Sequence, residues 1–211
     1  MYLHQLTLVA DAPFSAAAWS AGVVLVLDAA RASGGTGDAL VDVDESEHLR
    51  RSATGLRAVT DLGLLDRLLA LPHQELVRWN DLSAEDAHQF RTAPDGVVEC
   101  LPSGVRRMLT YPVSVPLVLV RSSSWRRGLQ RACAFEPFAQ RVLILEGTHR
   151  DLHRLTWEAD VLGVGIWVED GSQIREALAP APWRQLYVKA AGWRFRERVY
   201  LSWLNAMHLA E

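Results

Sequence analysis

Apolar residues in the second half of the chain gather into three short, almost unbroken runs: Val113–Val120 (VSVPLVLV), Arg141–Glu146 (RVLILE) and Val164–Val168 (VGIWV). Runs of this length, rich in Val, Ile and Leu and without in/out alternation, mark strands buried on both faces of a helix-covered sheet. Polar residues stop them, Arg121-Ser-Ser-Ser after the first and Glu169-Asp-Gly-Ser after the third. Ser124 offers an N-cap to a helix from Trp125. The stretch Pro112–Leu178 is therefore expected to run strand, helix, strand, helix, strand. Past Pro180-Ala-Pro182, Gly192 precedes a last helix with Phe195, Val199, Trp203 and Met207 as its apolar positions.

The first half is patterned differently. Met1–Ala10 alternates loosely, as an edge strand or an irregular arm would. Ser15 is a candidate N-cap for a helix over Ala16–Ala32, apolar nearly all round until Asp28 and ended by Ser33-Gly-Gly; such a helix should be buried. Thr36–His48 is acidic without apolar periodicity and is expected to be an exposed loop, with no calcium-loop spacing. Leu56, Val59, Leu62, Leu64, Leu65, Leu68 and Leu69 form a stripe that predicts helix over Leu49–Leu71, with Gly63 a break and Pro72 the stop. A short helix is expected over Gln74–Trp79. Ser83-Ala-Glu-Asp86 opens another, capping-box fashion, to about Thr92. After the turn Pro94-Asp-Gly96, Val97–Leu101 and Val105–Leu109 flank Pro102-Ser-Gly104 as a hairpin.

These helices and the hairpin, Leu56 to Thr110, resemble a winged helix-turn-helix. A DNA reader of that kind places its third helix in the major groove. Here that helix is Glu85-Asp-Ala-His-Gln-Phe-Arg, whose leading acids would repel phosphate, leaving Gln89 and Arg91 as favourable contacts. A helical interaction or packing region is expected in preference to a sequence-specific reader.

Composition adds limits. At 211 residues, 49% hydrophobic and 22% charged, the chain can bury a sizeable core as one domain or two small ones. The net charge of -3 divides unevenly: residues 1–92 carry 7 Arg or Lys against 13 Asp or Glu, residues 93–211 carry 15 against 12. Arg outnumbers Lys 21 to 1, a trait of codon usage more than of mechanism. Cys100 and Cys133 are too few for a disulfide framework or a thiolate cluster, so a reducing cytoplasm is expected. Phe14–Leu27 is shorter than a membrane span and flanked by Asp11 and Asp28, so neither secretion nor membrane insertion is expected.

The order of elements from Val115 to Val168, with Trp125-Arg-Arg-Gly-Leu129 as a Trp-bearing helix and Gly163-Val-Gly165-Ile entering the last strand, resembles the restriction-endonuclease-like superfamily, the PD-(D/E)XK nucleases. It covers about a quarter of the chain. Such a resemblance implies two carboxylates holding a divalent cation at the scissile phosphate and a lysine beside the attacking water. Aligning Trp125 puts Leu119 in the Glu slot and Arg121 in the Lys slot. The hairpin leading in, Arg106-Arg-Met-Leu-Thr-Tyr, supplies no aspartate. An aliphatic group binds no cation, and arginine does not give up its proton.

Other chemistry is sparse. Glu99 and Glu146 are candidates for a relocated carboxylate site. His149, His153 and Asp160 share one helix face, turned away from Leu152, Leu155, Ala159 and Leu162 and so toward solvent. No nucleophile elbow or phosphate-cradling Gly-rich loop is present. From Trp125 on, Arg126, Arg127, Gln130 and Arg131 lie opposite the apolar side of their helix, next to Arg121, and present a positive face.

The expected fold is α/β, mixed α+β overall: residues 1–111 a helical, winged-helix-like region ending in a hairpin, and 112–211 a nuclease-like domain with a C-terminal helix. No catalytic residue, metal ligand or cofactor is assigned. Anion or nucleic-acid contacts fall to Arg106, Arg107, Arg121, Arg126, Arg127 and Arg131. The expected function is that of a catalytically degenerate, nuclease-like binding protein, an accessory or regulatory component working with nucleic acid or a protein of a DNA-handling system. The alternatives are an active metal-dependent phosphodiesterase with a relocated site and a purely structural subunit. Nothing in the sequence sets the oligomeric state.

Overall fold

In the computed structural model, residues 23–147, 151–171 and 173–208 are described. They form six α-helices and nine strands, a mixed α and β protein. They divide into two compact units: one of the residues up to Asp42, Ser114–Leu186 and the residues from Ser202, the other of Val43–Val113 and Tyr187–Leu201.

The first unit is built on a six-stranded sheet. Its strands are β1 (Val24–Ala32), β2 (Gly35–Val43), β6 (Val113–Ser122), β7 (Gln140–Glu146), β8 (Gly165–Asp170) and β9 (Gln173–Leu178), in the order β1-β2-β6-β7-β8-β9. β6, β7 and β8 are parallel, in register Leu119↔Val142 and Val142↔Gly165, while β8 and β9 form an antiparallel edge. The apolar runs thus become the three parallel strands, as their continuous burial requires. Pro116 in β6 lies one residue ahead of the pairing with β7, which starts at Leu117, so its missing N–H takes no bond from that ladder. α4 (Trp125–Cys133) connects β6 to β7, and α5 (Leu152–Val161) connects β7 to β8. On one sheet face Leu25, Leu40, Leu117, Leu119, Val142, Ile144 and Trp167 make a core.

Two expectations fail at the start of this sheet. Val24–Ala32 is strand, not the end of a helix over Ala16–Ala32; the earlier part of that segment, and the Met1–Ala10 arm, lie outside the described residues. The β-branched Val24 and Val26 favour strand, and an all-round apolar pattern suits a strand as well as a buried helix. Thr36–His48 is no exposed loop. It pairs with β1 (Val24↔Val41, Ala32↔Gly35), then turns into a helix. At Gly37 a Cβ would lie 2.6 Å from the Leu119 carbonyl oxygen of β6, so only glycine allows the approach.

The second unit contains α1 (Glu45–Thr54), α2 (Leu62–Leu69), α3 (Ala84–Arg91) and a small antiparallel sheet, in the order β3-β5-β4, of β3 (Leu76–Arg78), β4 (Val98–Leu101) and β5 (Gly104–Arg107). Residues 49–71 do not form one helix. Gly55, at φ 68°, ends α1 in the left-handed conformation, and Asp61 then caps α2 by accepting from Leu64 N–H at 2.8 Å. The break expected at Gly63 therefore lies at Gly55. In place of the helix expected over Gln74–Trp79 come β3 and a 3-10 turn at Trp79–Asp81. The Ser83 cap and the hairpin are as expected. α6 (Ala190–His208) starts two residues ahead of Gly192. Leu65, Leu68, Phe90, Val97, Val105, Leu109 and Trp193 form the core of this unit.

Candidate functional site

At the carboxyl ends of the parallel strands the apolar face of the sheet gives way to charge. Arg121 follows Leu119 by two residues on β6, and so shares its face, as does Glu169 with Trp167 on β8. The Arg121 guanidinium donates through Nη1 to Glu169 Oε2 at 2.8 Å, and its Nε lies 3.7 Å from Asp38 Oδ2. Asp38 stands two residues before Leu40 on β2, the strand beside β6, and is 8% exposed. Its Oδ1 accepts from Asp28 N–H at 2.9 Å, where β1 bulges and Asp28 adopts φ 50°. Burial pushes the Asp38 carboxyl above its usual range, against the pull of the Asp28 N–H and of Arg121.

The arrangement is an arginine held between two carboxylates. A divalent cation bound by such a pair needs the space that the guanidinium occupies. Leu119, in the slot aligned with a metal-binding glutamate, is 6% exposed and belongs to the apolar core. The hairpin before β6 belongs to the other sheet; the strand alongside β6 is β2, which carries Asp38. Asp38 and Glu169 escaped the sequence reading because one sat in a presumed loop and the other marked only a strand end. The sole signal was a Gly-Asp-Ala-Leu-Val stretch too short to separate from a turn.

The six arginines assigned to anion binding are not brought together. Arg121, Arg126, Arg127 and Arg131 lie in the first unit, Arg106 and Arg107 in the second. Arg131 ties α4 to the β1–β2 hairpin, donating to Thr36 O at 3.0 Å and Thr36 Oγ1 at 3.1 Å. Arg126 and Arg127 are exposed, Arg126 with its guanidinium carbon 4.9 Å from the Trp125 ring centroid, and neither joins an ion pair among the described residues. Arg106 pairs across the hairpin with Glu99 at 2.9 Å. Arg107 donates to Leu68 O at 2.9 Å.

Glu99 is thus engaged, and Glu146 is exposed at the end of β7. His153 and Asp160 are exposed on α5, and His149 lies outside the described residues. Among the described residues no three His, Cys, Asp or Glu side chains are placed to hold a metal ion. The leading acids of α3 share one cation within the unit: Arg67 pairs with both Glu85 and Asp86.

The second unit contains a further charge cluster that the sequence did not suggest. Arg51, 0% exposed, donates to Glu47 Oε1 at 2.7 Å, to both carboxylate oxygens of Glu197 at 2.8 Å and to Thr110 O at 2.9 Å. Glu197 also accepts from Val59 N–H at 2.9 Å and Trp193 Nε1 at 3.1 Å, and Glu47 takes both ends of Arg50. Two arginines and two glutamates balance, with their hydrogen-bonding groups engaged.

Comparisons of the chain with protein-family models, with curated proteins and with solved structures found no match.

Proposed function

We propose that this chain is a catalytically degenerate, nuclease-like binding protein that acts on nucleic acid as an accessory component rather than cleaving it. The observation that carries the reading is the Arg121 guanidinium between Asp38 and Glu169, with Leu119 in the core beside it. Two carboxylates converge where the parallel strands end, the usual place for a site in an open α/β sheet, but their charge is met by a fixed cation that cannot activate water. The order β3-β5-β4 with α2 and α3 supports a winged-helix-like second unit, and Arg67 offsets one of the two negative charges that Glu85 and Asp86 would turn toward phosphate. Exposed Arg126 and Arg127 on α4 supply the phosphate contacts. Among the described residues no helix is long and apolar enough to cross a membrane.

The test has two parts. Plasmid and oligonucleotide DNA incubated with the protein and Mg²⁺ or Mn²⁺ should stay intact; cleavage overturns the reading. Fluorescence anisotropy with a labelled duplex at low ionic strength should show binding that weakens with salt. Arg126→Glu with Arg127→Glu should weaken it on every sequence alike, flattening the log–log salt slope by roughly 0.9 for each phosphate no longer neutralised. Absence of salt-dependent binding would sink the nucleic-acid reading.

A further inference from the structure

Helix α5 buries Leu155 and Ala159 in the first unit and leaves its opposite face open. On that face Trp157 and Val161 stand one turn apart, 67% and 73% exposed, and Leu162 follows at 43%. Every other described tryptophan is buried or half-buried, so Trp157 is the exception among them. A single exposed apolar side chain needs no explanation, but an aromatic ring with an aliphatic neighbour at i+4 forms a patch of the kind that anchors a partner.

The flanks of this face carry charge in a definite order. Arg154 and Glu158 lie on one side of Trp157, His153 and Asp160 on the other. Both sides therefore run from a basic group near the start of the helix to an acid near its end. Past the Asp151 cap position, that order is the reverse of what the helix's own macrodipole favours, and Arg154 ahead of Glu158, joined at 3.0 Å, is the poorer direction for an i,i+4 pair. A second copy of α5 lying antiparallel satisfies it. A two-fold axis perpendicular to the helix near Thr156 and Trp157 keeps each flank on its own side and brings residue 154 level, to within a residue, with 158, and 153 with 160. Arg154 then faces Glu158 of the other copy, His153 faces Asp160 of the other copy, and the two Trp157 rings meet at the axis. The Arg154 side chain is 66% exposed and has room to reach across. A nucleic acid fits this face poorly, since Glu158 and Asp160 would repel its phosphates.

We propose that this face of α5 is a self-association surface, on which a second copy of the chain docks antiparallel about a two-fold axis, Trp157 against Trp157, with the Arg154–Glu158 and His153–Asp160 pairs crossing between copies. One helix face offers less than the roughly 800 Å² per partner of a standard interface, so the expected dimer is weak, with a dissociation constant on the order of 10 µM or above. It uses neither Arg121 nor Arg126 and Arg127, so it stands or falls apart from the function proposed above.

Sedimentation velocity of the full-length chain, from low-micromolar to several-hundred-micromolar concentration, tests it. The mass should rise from monomer toward dimer across that range. Trp157→Glu should weaken association by at least about tenfold, with circular dichroism and melting unchanged because the side chain is exposed. Val161→Glu serves where that variant fails to fold. Arg154→Glu and Glu158→Arg should each weaken self-association, since like charges then meet across the axis. Mixed in equal amounts, these two variants should dimerise with one another, because each supplies the charge that the other lacks. A chain that stays monomeric throughout, a dimer indifferent to Trp157→Glu, or a mixture of the two charge variants that fails to recover association overturns the proposal.

Discussion

Arg51 and Arg121 each stand between two carboxylates, and they differ in what surrounds them. Arg51 is wholly buried, contacts Glu47, Glu197 and the Thr110 carbonyl, and ties α1 to α6 across 146 residues of sequence. Arg121 keeps 31% of its side chain exposed, makes one close contact, to Glu169, and one longer one, to Asp38. A saturated, dry network holds a fold together, because each member removed strands a charge. An open one at the end of a sheet contributes little to stability and leaves its groups able to meet a ligand.

The contrast is tested most strongly by deletion. Arg51→Ala leaves Glu197 buried without its cation and should cost about 3 to 5 kcal/mol, read as a shift of the urea midpoint, enough to unfold a marginal domain. A loss under about 1 kcal/mol would mean that water enters the cluster and that the two sites are alike.

The pH dependence of the two carboxylates should run in opposite directions. Burial pushes the Glu47 carboxyl up, but hydrogen bonds from Arg50 and then Arg51 outweigh it and hold it below the ordinary range. Its stabilisation is present above the unfolded value, about 4.3, and is lost as pH falls through the folded one. Asp38 is raised, so its contribution is present below the unfolded value, about 3.9, and is lost as pH rises through the folded one. In urea titrations at successive pH values, Glu47→Gln should flatten the acid-side loss. Asp38→Asn, which can still accept from Asp28 N–H, should remove a decline with rising pH. Equal slopes in wild type and both variants would contradict these assignments.

The smallest effect is expected at Arg121. Arg121→Ala should cost about 1 kcal/mol or less, since its pairs are partly solvated. It also vacates the space between Asp38 and Glu169, so Mn²⁺ should raise the melting midpoint of Arg121→Ala more than that of wild type. An identical response in both proteins would mean that the guanidinium does not stand where a cation would.

What local patterning decides was legible in the chain. The runs that become β6, β7 and β8, the helix after Ser124, the cap at Ser83 and the β4–β5 hairpin all follow from contacts within a few residues, since burial on both faces, capping and turn geometry are written in neighbouring side chains. The tertiary structure alone decided that β2 runs beside β6, because glycine at 37 matters only once the Leu119 carbonyl lies against it. It alone turned the acids of a supposed loop into Asp38 at the sheet end, Asp44 capping α1 and Glu47 in a buried network. The charge of an aspartate or glutamate is evident in sequence; its partner is not, when Arg51 finds Glu197 from 146 residues away and Arg121 finds Glu169 from 48. Periodicity reports which residues leave water, and pairing between distant strands and helices sets which charges they take with them.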